Sequence, residues 1–149
     1  VPSIDCPCGS GSPHDECCGP LLRREREAAT AEELMRSRYS AYVVGDIAHL
    51  RRTWHPDHRP EELTRTGDET WLGLQVLRTR DGGPDDERGT VEFIARFRSG
   101  GMDRTLHEVS RFVRLDPADQ PADDQPADDD AEDGPLGRWV YLRGRDVST

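Results

Sequence analysis

Trp71 to Thr79 reads W-L-G-L-Q-V-L-R-T, Thr90 to Arg98 reads T-V-E-F-I-A-R-F-R, Thr105 to Leu115 reads T-L-H-E-V-S-R-F-V-R-L, and Arg138 to Arg143 reads R-W-V-Y-L-R. Apolar residues return at every second position in each stretch, the period of a strand with one buried face. The segments between them, Asp81 to Gly89 and Ser99 to Asp103, are rich in glycine and aspartate and read as turns. Consecutive strands joined by such turns pair antiparallel, so this half of the chain predicts a four-stranded antiparallel sheet. On the third strand Leu106, Glu108, Ser110 and Phe112 share one face, and His107, Val109, Arg111 and Val113 share the other.

The chain before the sheet is helical in pattern. T-A-E-E at Thr30 to Glu33 fits a capping box, in which the Thr30 hydroxyl accepts from the Glu33 amide and the Glu33 carboxylate accepts from the Thr30 amide. Leu34, Arg38 and Tyr42, beside Met35, Tyr39 and Val43, carry the helix to a stop at Gly45. Asp46 then caps a second helix, D-I-A-H-L-R-R-T-W, which Pro56 ends. A further helical turn is expected at Glu61 to Leu63. Helices first and a bent antiparallel sheet afterwards define an α+β roll.

Ahead of the helices stands C-P-C-G-S-G-S-P-H-D-E-C-C-G, from Cys6 to Gly19, which holds all four cysteines of the chain. A segment this short buries too little apolar surface to offset its ordering entropy and needs a staple. Two tight thiol pairs separated by a glycine-rich loop suit one tetrahedral ion, and structural zinc contributes about 10–16 kcal/mol in zinc-finger peptides. Gly9 and Gly11 permit sharp turns, Ser10 and Ser12 stand near the sulfurs, and His14 is an alternative ligand. Disulfides, an iron–sulfur cluster and redox chemistry at the adjacent Cys17 and Cys18 compete with zinc. V-P-S-I-D at the start has no secretory pattern, so a reducing cytoplasm is expected, and C-x-C followed by C-C is not a common cluster spacing.

The net charge of −10 in 149 residues is concentrated. Asp116 to Asp133 carries nine acidic residues and no basic one, in a repeated Pro-Ala-Asp unit that cannot form a core. The remainder balances near −1, which disfavours a protein that blankets nucleic-acid phosphates, although local basic patches are allowed. No apolar run approaches the roughly 20 residues of a membrane-spanning helix.

Candidate site residues follow from alternation. Glu108 and Ser110 interrupt an apolar face, and a carboxylate buried there needs a cation, which Arg36 or Arg38 can supply. Such a pair either fixes helix on sheet or binds a ligand. His55, at a helix end near the mouth of the roll, is placed for acid–base work with Glu108 or for a simple interaction with the helix dipole. Trp71, Trp139 and Tyr141 read as core or as binding residues. His49, His55, His58 and His107 lack metal-ligand spacing, and no catalytic motif stands out.

Cys6 to Gly19 resembles the SEC-C motif, in which C-x-C, eight residues and C-C or C-H bind one zinc. The segments L-M-R-S-R-Y-S-A-Y at Leu34, T-W-H-P at Thr53, W-L-G-L at Trp71, V-E-F-I-A-R-F at Val91, H-E-V-S-R-F at His107 and W-V-Y-L-R-G at Trp139 resemble, in order, the bacterial YchJ family. The resemblance implies a nuclear transport factor 2-like (cystatin-like) roll over residues 28–149; the acidic stretch, residues 116–135, is an insertion outside the resemblance, and its composition predicts a flexible loop. The resemblance also implies a zinc knuckle over residues 1–22, with Cys6, Cys8, Cys17 and Cys18 as metal ligands. Some family members carry a second such motif, whereas cysteine does not recur after Cys18, so one site is expected. Two functions follow: a non-catalytic adaptor that docks a protein partner through the knuckle, as the SEC-C segment of the SecA translocation motor does, or a roll cavity that binds, hydrolyses or isomerises a small molecule. Rolls of this kind often pair through the exposed sheet face, so a homodimer is a further expectation.

Overall fold

The structure is a computed structural model and describes residues 5–59, 69–115 and 137–147. The expected turn at Glu61 to Leu63 and the acidic loop 116–135 lie outside the described residues. The elements are α1 (Gly19–Leu22), α2 (Ala31–Val44), α3 (Ile47–Arg52), β1 (Thr70–Asp81), β2 (Arg88–Ser99), β3 (Met102–Leu115) and β4 (Arg138–Asp146). The four strands form one antiparallel meander in the order β1-β2-β3-β4. The α+β expectation holds, and the strands run longer than their apolar cores because the polar ends continue the ladder. The β2–β3 turn contracts to Gly100 and Gly101, with φ of 60° and 76°, the backbone that a tight hairpin demands. Register shifts at Trp71/Gly73, Val76/Arg78 and Arg111/Phe112 bend the sheet around the helices.

At the start of α2 the Thr30 hydroxyl accepts from the Glu33 amide at 3.1 Å, as a capping box requires. The return bond differs from expectation: the Glu33 carboxylate accepts from the Ala29 amide at 3.2 Å and from Arg26. Arg26 pulls the carboxylate one residue outward. Gly45, with φ of 79°, ends α2, and Asp46 accepts from the His49 amide at 3.0 Å to start α3. That helix stops at Arg52, two residues short of the expected Trp54. There the chain turns to bridge β4: the Tyr141 amide donates to the Thr53 carbonyl at 2.6 Å, and the His55 amide donates to the Tyr141 carbonyl at 2.8 Å. This covers part of the edge of β4.

Leu34, Met35 and Tyr39 of α2 pack on the inner sheet face against Val91, Phe93, Ala95, Phe112 and Trp139, all buried. Fully burying one such side chain is worth about 1.5–3 kcal/mol. Most polar side chains within this core are partnered, although Arg52 Nε and Trp54 Nε1 are buried without a hydrogen bond among the described residues. Arg138 donates to the Arg52 carbonyl at 2.6 Å, and Arg52 is bound by Glu27 through both terminal nitrogens. Ser37 donates to the Leu34 carbonyl at 2.7 Å and meets His49 Nε2 at 2.9 Å. If the single Ser37 proton serves Leu34, His49 carries its proton on Nε2.

Burial, reinforced by Arg38, Arg52, Arg24 and Arg138, pushes the His49 imidazole down to about 3. The folded protein therefore holds it neutral, while the unfolded chain protonates near pH 6.5. Its contribution to stability is complete above pH 6.5 and is lost progressively as the pH falls toward 3. Urea unfolding at pH 7.5 and 5.5 will show the wild type losing about 1.4 kcal/mol more than His49→Gln, which keeps a donor but does not titrate.

Candidate metal centre

The cysteine segment folds back on itself through an antiparallel bridge between Asp5 and Pro13, and the Cys6 amide donates to the Ser12 carbonyl at 2.9 Å. Between Cys6 and Cys8 the chain turns tightly, closed by the Gly9 amide on the Cys6 carbonyl at 3.1 Å, with Gly9 at φ of 80°. A Cβ on Gly9 would stand 3.1 Å from the Leu74 carbonyl, so glycine there serves both the turn and the approach of the loop to β1. Cys17 and Cys18 come from the turn into α1, with Cys18 at its N-cap.

The four sulfur atoms all lie within 4.8 Å of one another, with Cys8 and Cys17 at 3.6 Å and Cys17 and Cys18 at 3.9 Å, and all four cysteines are unbridged. Sulfurs around a tetrahedral ion with bonds of about 2.3 Å stand roughly 3.8 Å apart. The donor set therefore fits a divalent ion closely.

The electrostatics favour a cation at the centre. Hydrogen bonding from Cys18, aided by Ser10 and opposed by burial, draws the Cys8 thiol down to about 4. The interaction with Cys8 and burial push Cys18 up, and burial also pushes Cys17 up. One thiolate thus makes each further deprotonation harder, and a central divalent charge removes that obstacle.

Groups outside the sulfurs complete the site. The Ser10 hydroxyl lies 3.2 Å from Cys17 Sγ, whereas Ser12 acts through its backbone, its amide donating to Ser10 Oγ and its carbonyl accepting from the Cys6 amide. His14 Nδ1 stands 3.4 Å from Cys6 Sγ, as a hydrogen-bond partner to a thiol. Ser40 of α2 reaches Cys6 Sγ at 3.5 Å. Arg36 bonds the Cys8 carbonyl at 2.8 Å and Glu32 at 3.0 Å, so this expected cavity residue belongs to the cysteine cluster instead. Its charge would offset the negative charge of thiolates gathered around an ion. The sequence held a clue in R-S-R-Y-S: residues 36 and 40 lie one turn apart and face the same neighbour.

Several of the other candidates gather at a cavity of about 320 Å³ between α2 and the sheet. Arg38, Glu108 and Ser110 line it, together with Tyr39, Tyr42, Trp54, Trp71 and Tyr141. The expected Arg38–Glu108 ion pair is absent. Arg38 donates to the Leu50 carbonyl at 3.0 Å and the Thr53 hydroxyl at 2.7 Å, and its guanidinium lies over the rings of Tyr141 and Trp54. Glu108 instead accepts from Ser110, and from the Tyr141 hydroxyl at 3.4 Å. Burial and Glu108 push the Tyr141 phenol up, which keeps it a donor. The Glu108 carboxyl lies flat over Gly144, where a Cβ would come within 2.0 Å of its oxygen. His55 does not reach Glu108: its Nδ1 accepts from the Asp57 amide at 3.1 Å and its ring packs against His58. The bridge to β4 holds it outside the cavity. Trp139 is core, with its indole nitrogen donating to the Ala29 carbonyl at 3.3 Å.

A bent meander closed over by helices, with a four-cysteine knuckle packed on the first long helix, defines a nuclear transport factor 2-like roll of the SEC-C-containing kind. Residues 30–118 match the family model described as the YchJ middle NTF2-like domain. The chain is 46% identical over 148 residues to a UPF0225 protein of Ralstonia nicotianae, covering 97% of this chain and 92% of that one. A UPF0225 protein of Geobacter sulfurreducens is 51% identical over 118 residues, covering 76% and 73%. The solution structure of a SEC-C motif containing protein from Rhodopseudomonas palustris superposes with a TM-score of 0.73 at 38% identity, covering 97% of this chain and all of that one. A crystal structure of another such protein, from Psychrobacter arcticus, gives 0.64 at 25% identity, with 93% and 80% covered. The chain belongs to the YchJ (UPF0225) family and carries a SEC-C motif. Among the described residues no helix is long and apolar enough to cross a membrane.

Because Arg36 joins the cluster to α2, Arg36→Ala will weaken metal binding about 10-fold, within the range for partners of metal ligands. Competition with a chromogenic chelator measures it.

Proposed function

We propose that this protein is a cytoplasmic zinc-binding adaptor. Cys6, Cys8, Cys17 and Cys18 hold one zinc ion, and the knuckle over residues 1–22 presents its loop surface to a protein partner. The observation that carries the reading is the mutual approach of four sulfurs within 4.8 Å, a donor set that fills a tetrahedral ion and leaves it no vacancy for water. The metal's part is then to hold shape. The roll, residues 28–149, is the second platform, and Arg36 and Ser40 tie the two together.

Several features support an exposed docking face. Ser10, Gly11, Ser12, Asp15 and Glu16 point to solvent, while Cys6, Cys8 and Cys18 are buried against Leu34, Met35 and Tyr39. One side of the knuckle is committed to the fold and the other is free to meet a partner.

A second reading rests on the cavity beneath α2. Its aromatic walls and the Glu108 carboxylate suit a small apolar molecule that bears a hydrogen-bond donor. Binding is the form the geometry supports, since His55 lies outside.

Elemental analysis of protein purified under reducing conditions will find one zinc per chain, and Cys17→Ser with Cys18→Ser will abolish it. Lowering the pH from 7.5 to 5.5 will release metal to a chelator, because protons compete for the thiolates. Partner capture by the wild type will be lost in the cysteine variant and also in Asp15→Ala with Glu16→Ala, which retains zinc. Capture that survives both rejects the adaptor role. For the second reading, Trp54 and Trp71 are fluorescent reporters in the cavity wall, and a ligand that quenches them will bind Glu108→Gln at least 10-fold more weakly.

A further inference from the structure

The outer face of the sheet carries a charge pattern that no part of the adaptor reading uses. Arg80 of β1 pairs with Thr90 of β2, Thr90 with Arg111 of β3, and Arg111 with Arg143 of β4. The neighbouring row runs Arg78, Glu92, Val109 and Arg145. Two rows across four strands therefore place five arginines on an area about 14 Å wide, three strand spacings. All five are exposed, and they line a groove of about 560 Å³. A second groove of about 620 Å³ adjoins it and shares Arg80, Thr90 and Arg111.

The five guanidinium groups form no ion pair with a carboxylate among the described residues. The single carboxylate in the first groove, Glu92, is held by His107 at 2.8 Å. Arg111 and Arg143 stand directly opposite one another, and like charges in that position destabilise a ladder. The sheet retains this repulsion although the protein as a whole is acidic, at −10. An anion of high charge density resolves it.

We propose that this arginine face binds a chain of linked phosphates, with Arg80, Arg111 and Arg143 as its principal contacts. Charge complementarity chooses the occupant, because guanidinium forks match phosphate oxygens pairwise. The size of the basic area favours a compact ligand: Asp81 at the end of β1 and Asp85, Asp86 and Glu87 in the segment after it bound it at one end. A nucleic-acid duplex needs a longer basic track than this. Neither groove offers an exposed aromatic ring on which bases could stack, since the Phe112 that underlies the second is fully buried, so single strands gain little here. A second copy paired through this face brings the same arginines against themselves, which makes the face a poor site for the expected homodimer.

Calorimetric titration of the full chain with inorganic triphosphate tests the assignment. Saturable binding is expected, at least 10-fold weaker in Arg111→Gln with Arg143→Gln and within twofold of wild type in Arg104→Gln, which stands outside the two rows. The double variant will melt at the wild-type temperature or above it, since a repulsion has been removed. Should it fail to fold, Arg80→Gln alone carries the test, with at least a threefold loss. Adenosine triphosphate in a parallel titration separates the sources: tighter binding than triphosphate assigns the site to a nucleotide, and equal binding assigns it to the phosphate chain itself. No saturable binding of triphosphate, or equal binding by wild type and variants, overturns the proposal. So does duplex RNA or an anionic vesicle that binds through these arginines when triphosphate does not.

Discussion

Helix α2 is enclosed on almost every side, and this condition organises the molecule. Ser37, Arg38, Tyr39, Ser40 and Ala41 are each at most 4% exposed, an unusual density of polar groups for a buried helix. A buried donor or acceptor without a partner costs about 1–3 kcal/mol, so each of these side chains has to be answered from a different direction. Ser37 is answered by His49, Arg38 by Leu50, Thr53 and two aromatic rings, Ser40 by Cys6. Tyr39 meets the edge of Trp71 on β1. The helix is the common partner of α3, the sheet and the cysteine knuckle. Sheet and knuckle meet largely through it, and Cys6, Cys8 and Cys18 join the same apolar cluster as Phe93 and Phe112.

Much of this could be read from residue order. Period-two alternation located all four strands, and the Thr30 cap, the Gly45 stop and the Asp46 cap located two helices, because such signals are local. The cysteine cluster was legible for the same reason: its members lie within thirteen residues, and the loop between them is too short to separate them. What failed was long-range. Arg36 and Arg38 are two positions apart and therefore about 200° apart around a helix, so they could not both face the sheet, and only packing decides which one does. Glu108 was read as needing a cation. It is satisfied by Ser110 and Tyr141 because Gly144 lets the carboxyl lie against β4, a diagonal relation set by register. His55 was lost to the cavity because its own backbone joins the sheet edge.

Charge shows the same limit from another side. A balance taken over the whole chain, or over the chain without its acidic stretch, is an average, and averages conceal geometry. The arginines at 78, 80, 111, 143 and 145 come from three separated strands and look unremarkable where they stand in sequence. Strand pairing turns them into a compact cationic field on one face, while the opposite face packs Val91, Phe93 and Phe112 against α2. Alternation along the strands thus divides one sheet into an apolar wall and a charged exterior.

The junction of β3 with β4 has a consequence for the chain's tolerance of change. Leu115 and Arg138 are paired across the ladder, so the chain departs from the sheet and re-enters it at one place. The closure cost of the intervening stretch grows only with the logarithm of its length, about 0.6 kcal/mol for each doubling. Lengthening the connection between Leu115 and Arg138, even by an inserted fluorescent protein or an epitope, therefore adds little closure cost to the roll.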